Sequence, residues 1–241
     1  MGPKREERIV SRFPSPSQEV ALELVKQALL VREPDRVTKF FRLGTTGADK
    51  VVAFLTTMAE RDGEIQSMDW LSSMDANGLL IDGVAVNTQL GDKRMNRLAL
   101  LTPDEAGFWK IDFESFARIV EPSWSDLLEK NAPVAMVRVV VGQDFYYNGF
   151  FLDDTQWRCF GIVSPERSEV MLGYCRKGSR QDAAMQSIMT NAGRSVDGSP
   201  IVRATLEIQR RDGAELRQFE ITRVLAEDWI MAAKPFDENF K

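Results

Sequence analysis

Proton transfer in this 241-residue chain would fall to carboxylates and phenols, because the sequence contains no histidine. Acids and phenols crowd one stretch, with Asp144, Tyr146 and Tyr147 at one end of an apolar run and Asp153 and Asp154 at the other. Tyrosine and aspartate can move protons without histidine. A further carboxylate, Asp69, stands beside Trp70, while Asp75 and Asp82 read as turn- or solvent-directed. Tyrosine is missing from residues 1–145, so Asp69 has no phenol partner in its own half. The missing histidine also removes Ser-His-Asp and Cys-His hydrolases and any His-ligated zinc or iron site. Two cysteines cannot make a four-cysteine site, and a carboxylate-only metal site would suit Mg or Ca, but the EF-hand spacing is absent. No catalytic residue, metal site or cofactor is expected.

The two cysteines admit two readings. If strands over 156–163 and 170–177 pair with positions summing to 334, a five-residue loop connects them and Cys159 lies opposite Cys175. Directly opposed strand residues can satisfy disulfide distances, and such a bridge implies an oxidising compartment. A one-residue change of register removes it and leaves buried free thiols. Neither cysteine reads as a nucleophile, since there is no histidine base and no CxxC. Gly44-Thr45-Thr46-Gly47-Ala48-Asp49-Lys50 departs from the phosphate-loop spacing and lacks a preceding strand. It reads as a helix stop followed by a new N-cap at Thr46.

Net charge is −5, from 31 basic and 36 acidic residues. That argues against a nucleic-acid surface, which needs concentrated Lys and Arg. The short basic clusters at 176–180 and 210–211 read as solvated loop charge. No apolar run approaches the ~20 residues needed to cross a bilayer, so no transmembrane segment is expected. The polar start suits a soluble cytoplasmic protein and equally the soluble part of a cell-envelope protein whose anchor has been trimmed away.

The elements that must position these residues fall into two halves. Ser15, Pro16 and Gln18 read as the N-cap, first position and third position of a helix whose inward face is Ala21, Leu24, Val25, Ala28 and Leu29. Glu33-Pro34 ends it. Helices over 35–43 and 47–61 follow, the last with Val51, Val52, Leu55 and Met58 inward and Gly63 at its C-terminal stop. Residues 64–72, 78–88, 93–102 and 107–112 then read as strands separated by turn material. The expectation is an α+β class, with three N-terminal helices packed on a curved antiparallel sheet. This element order, over 15–113, resembles the nuclear transport factor 2-like family of cone-shaped α+β rolls, to which ketosteroid isomerase belongs. The resemblance implies a cone pocket, in which Trp70 and Trp109 would be apolar walls and Asp69 the carboxylate to test.

The stretch EAGFWKIDFESFARIVEPSW, residues 105–124, holds two of the five tryptophans and three of the fourteen phenylalanines. The reading preferred here is a seam: Asp112 caps a helix with Phe113, Phe116, Ala117 and Val120 inward, closing one core and covering the next. A ligand pocket is the alternative. The domain boundary is expected at 131–133, giving a flexible segment 1–14, an α+β domain with linking helix over 15–131, and an antiparallel β domain with one helix over 132–241. Strands are expected at 134–141, 145–152, 156–163, 170–177 and 201–210, with a returning strand after Asp212-Gly213 and another over 229–232. The helix over 180–192 turns Ala184, Met185, Ile188, Met189 and Ala192 inward. The segments LVREPDRV, GFWKIDFESF and DFYYNGFF resemble bacterial proteins in which such a region follows a membrane anchor, a likeness that carries no function with it. The functional expectation is a non-catalytic interaction or scaffold domain with a protein partner or a second copy of itself. The alternatives are a small-molecule binder and an enzyme using carboxylates and tyrosines.

Overall fold

The computed structural model describes residues 13–76, 79–129, 134–167, 169–191, 202–231 and 234–241. The expected flexible segment up to residue 12, the turn residues Asn77 and Gly78, the boundary 131–133 and the loop over 193–200 lie outside the described residues, as does the Asp75 side chain. The described chain is α+β, with two five-stranded sheets in two compact units, Met1–Ala117 and Arg118–Lys241. The division falls after Ala117, earlier than the expected boundary, because Val120, Trp124, Leu127 and Leu128 pack into the second core.

The first unit begins with α1 (Gln18–Leu29). Its N-cap is Ser17, whose Oγ accepts from the Val20 amide at 3.3 Å, so the start lies two residues later than Ser15. The buried stripe Ala21, Val25, Ala28 and Leu29 follows the 3.6 period. Helix α2 (Pro34–Phe40) carries its proline in the first turn, where no amide is needed. It ends earlier than expected because Phe41 and Arg42 form a short strand, β1, parallel to Ile111 and Asp112. Helix α3 (Ala48–Asp62) starts from Gly47 rather than Thr46 and buries Val51, Leu55 and Met58. Gly63 has φ 84°, and a Cβ there would sit 2.0 Å from the Gln89 carbonyl oxygen, so only glycine lets the chain turn so tightly into the sheet. Strands β2 (Glu64–Ala76), β3 (Leu79–Leu90), β4 (Lys93–Pro103) and β5 (Trp109–Asp112) are antiparallel in sequence, giving the order β1-β5-β4-β3-β2. Register shifts at Ile65/Ser67 and Trp70/Ser72 bend β2. Helix α4 (Phe113–Ala117) is capped by Asp112, whose Oδ1 accepts from the Ser115 amide at 2.8 Å.

The second unit opens with α5 (Trp124–Glu129), then β6 (Ala135–Gln143), β7 (Trp157–Val163), β8 (Val170–Arg176), α6 (Arg180–Thr190), β9 (Val202–Gln209) and β10 (Gln218–Ala226). The expected antiparallel sheet is instead a closed barrel in the order β10-β8-β7-β6-β9, sealed by the parallel pairing of β10 with β8. Closure removes sheet edges. The inside is filled by Val137, Val139, Phe160, Ile162, Leu206 and Ile208, with Ala184, Met185 and Ile188 of α6 packed into the same core.

Two expected strands are absent among the described residues. In 145–152, Asp144 Oδ1 accepts from the Phe145 and Tyr146 amides at 2.6 and 3.1 Å, and a 3-10 turn follows at Gly149–Phe151. Around Trp229 the chain is tied as a clamp: Trp229 Nε1 donates to the Val139 carbonyl at 3.0 Å, and Arg138 Nε donates to the Trp229 carbonyl at 3.1 Å.

Candidate functional site

A cleft of about 800 Å³ in the first unit runs along the flank of α1. Glu19, Val20, Glu23, Leu24 and Gln27 form its helical wall, about 12 Å long at the helical rise. Phe40, Phe108 and Trp109 face them, with Lys39 and Lys110 on the same side. Phe108 is 69% exposed and Val20 56% exposed. The lining thus combines apolar side chains, two of them well exposed, with two acids and two lysines. Lys110 Nζ pairs with Asp104 at 3.1 Å. Phe108 N–H and Ala106 N–H both donate to that carboxylate, and the Phe108 bond leads the effects that hold Asp104 below its ordinary range.

The expected site residues separate. Trp109 lines the cleft, but Trp70 and Asp69 do not belong to it. Trp70 packs on the core of the same unit. Asp69 points to solvent, accepting from Ser67 Oγ at 3.0 Å and Asn87 Nδ2 at 2.6 Å. The aromatic run over 105–124 is divided: Trp109, Phe113 and Phe116 belong to the first core, Trp124 to the second, and Phe108 to neither. Trp109 is therefore part of a cleft as well as of a core.

Asp82 reverses its expectation, being fully buried on β3. Ser73 Oγ donates to its Oδ1 at 2.5 Å, while among the described residues Oδ2 has no partner, and neither does the buried Trp70 Nε1. Register places both side chains on the core face of the sheet, since Trp70 opposes Val84, two positions from Asp82.

Other buried acids serve structure. Arg97 donates to both oxygens of Asp62, at 2.5 and 3.1 Å, and to the Phe116 carbonyl at 3.1 Å. Burial works to raise the Asp62 carboxyl, but hydrogen bonds and charge from Arg97 and Arg61 outweigh it and hold it below 3.8. Asp182 is held by Arg158 at 2.5 Å and the Gly178 amide at 3.0 Å. Asp228 is gripped by Arg203 at 2.9 Å, and Asp237 accepts from the Val224 amide at 3.1 Å.

The cysteines are both free and buried. Strands β7 and β8 pair with positions summing to 333, because Cys159 opposes Tyr174 and Arg158 opposes Cys175. The connection is one residue longer than expected, which turns the thiols to opposite faces and excludes the bridge. Burial, chiefly, pushes Cys159 up to about 11 and Cys175 well above its ordinary value, so both stay protonated at neutral pH and are poor nucleophiles.

The phenols join an aromatic cluster on the outer face of β7 and β8. Phe151 stacks on Tyr174 at 4.0 Å, and Trp157 meets Phe151 edge-on at 4.9 Å. Tyr174 donates to the Tyr146 carbonyl at 2.8 Å, and Gln218 Nε2 donates to the Tyr174 hydroxyl at 3.1 Å. Burial is the largest effect raising the Tyr174 phenol, so it keeps its proton. These contacts tie the 144–152 segment to the barrel.

The α1 cleft went unnoticed in the sequence, although Val20 and Leu24 lie beside the buried stripe of α1 and signalled a second apolar flank. Among the described residues, no group of three or more Cys, Asp or Glu is placed to hold a metal ion, and no helix is long and apolar enough to cross a membrane. The chain matches no protein-family model, no curated protein and no solved structure at a significant level.

Proposed function

We propose that the protein is a non-catalytic interaction domain that associates with a second copy of itself through the α1 cleft. The observation that carries this reading is the self-complementary patch. It sets the exposed Phe108 beside an apolar recess whose lining also carries two acids, Glu19 and Glu23, and two lysines, Lys39 and the Asp104-paired Lys110. A two-fold interface requires one patch to satisfy itself, apolar side chain into recess and acid onto lysine. The arginine and backbone partners of Asp62, Asp182 and Asp228 support the non-catalytic part, because those charges serve the fold.

Sedimentation equilibrium tests it. Wild type is expected to gain mass with concentration toward a dimer, and Phe108→Asp to remain monomeric while keeping its circular dichroism. A wild-type monomer at every concentration, or a Phe108→Asp dimer of wild-type strength, overturns the reading.

A second reading, a small-molecule binder on a nuclear transport factor 2-like cone, is favoured by two buried atoms of the first unit, Trp70 Nε1 and Asp82 Oδ2, that have no partner among the described residues. A donor and an acceptor on one face of the sheet suit a small ligand carrying both functions. Its test is a screen of small amides and hydroxy compounds for saturable Trp70 perturbation that Asp82→Asn abolishes. An inert Trp70 ends it.

A further inference from the structure

We propose that the second unit carries a separate binding site, on the outer face of β7 and β8, for a ring-shaped ligand bearing a single anionic group. The site is a cleft of about 440 Å³ lined by Phe150, Trp157, Arg176, Arg211, Asp212 and Glu220, within the size range of small-molecule sites. It stands independently of the α1 cleft.

Trp157 and Arg176 are register partners on adjacent strands, so their side chains emerge on one face. The Arg176 guanidinium carbon lies 5.2 Å from the indole centroid. That approach is within cation–π range of the ring, and the guanidinium donates no hydrogen bond to another described residue. Arg176 is exposed and forms no ion pair with another described residue. Arg211 differs, because the Glu220 carboxylate already holds it. The cleft therefore presents one arginine outside any ion pair, beside the closed Arg211–Glu220 pair and the exposed Asp212 carboxylate.

Each remaining wall narrows the ligand. The Arg176 fork fits a carboxylate or a phosphate through two parallel N–H bonds. Phe150, 46% exposed and 6.1 Å from Trp157, offers an open ring face to a flat apolar body. The exposed carboxylate of Asp212 accepts a hydrogen bond from a donor on the ligand's far edge. Two arginines balanced by two carboxylates give no net positive field, so a nucleic-acid strand, which needs several cations along its backbone, fits poorly. Aromatic carboxylates and nucleoside monophosphates share the fitting chemistry.

The full chain is titrated with 4-aminobenzoate and, separately, with adenosine 5′-monophosphate, following Trp157 Nε1–H and Arg176 Nε–H by NMR and the heat by calorimetry. Benzyl alcohol and acetate supply the ring without the charge and the charge without the ring. At least one ring anion is expected to bind saturably at one equivalent, and the responding probe distinguishes carboxylate from phosphate. Arg176→Gln is expected to weaken binding about tenfold or more, the loss of one charge-assisted contact. Arg176→Lys should fall between, and Phe150→Ser should weaken binding severalfold. Both positions are exposed, so circular dichroism stays unchanged, and Val20→Asp in the α1 cleft leaves binding intact. No saturable binding of either ring anion, equal shifts with acetate, or wild-type binding by Arg176→Gln overturns the proposal.

Discussion

The first unit holds an open sheet that shares its core with residues of α1, α2 and α3, whereas the second rolls five strands into a barrel and fills it with side chains. In the first, α1 is wider in apolar character than the sheet can cover, and the surplus, Val20 and Leu24, becomes one wall of a cleft. In the second, the interior is used up by packing, and the cleft beside Arg176 lies outside the barrel wall. Where an apolar core sits decides where a ligand can sit: beside a helix flank in an open layer, on the outer face in a closed barrel.

That comparison can be broken in several places. The largest effect is expected at Arg97→Ala, which leaves the buried Asp62 carboxylate only the part-exposed Arg61 as a charged partner. Arg97 and Asp62 side chains are 4% and 1% exposed, and removing one partner of such a pair costs about 3–5 kcal/mol. Urea unfolding measures the loss. The pair also sets a pH dependence. The Asp62 carboxyl lies below its unfolded value of 3.8, so its stabilisation is complete above that pH and disappears as pH falls through the folded value. The wild type is expected to lose stability more steeply below pH 4 than Arg97→Ala.

Next in size, Leu206→Ala in the filled barrel should cost about 2–5 kcal/mol, whereas Val20→Ala on the cleft rim should stay within about 0.5 kcal/mol. Equal losses would contradict the contrast between a used interior and an open flank. Smaller still, Ser17→Ala should cost about 1 kcal/mol as the N-cap of α1, with Ser15→Ala near neutral. Finally, neither Cys159 nor Cys175 should react with a thiol reagent at pH 8 until the second unit unfolds. Prompt labelling of the native protein would contradict their burial.

Local chemistry was the legible part of the sequence. Helices α1 to α3, the β2–β3–β4 meander and the Asp112 cap follow from periodicity and from punctuation such as Gly63 and Pro34. Events that depend on distant pairing were not legible. Barrel closure rests on β8 meeting β10 in parallel across an intervening helix and strand, and no local pattern reports it. The same holds for the Arg176 stack, which arises because residues 157 and 176 share a register. Of the two cysteine readings, the disulfide failed on a single residue of loop length and the buried free thiols remained, and DFYYNGFF misled because its apolar run imitates a strand while Asp144 and Gly149 (φ 53°) turn the backbone. Asp82 looked solvent-directed because its partner, Ser73, lies on the neighbouring strand.

The central claim, that the α1 cleft is an interface, is tested most directly by ¹⁹F NMR of the protein labelled with 5-fluorotryptophan across a dilution series. Trp109 alone is expected to shift with concentration, with Trp70, Trp124, Trp157 and Trp229 unmoved. A concentration-independent Trp109 signal, or a shift centred on another indole, contradicts the account.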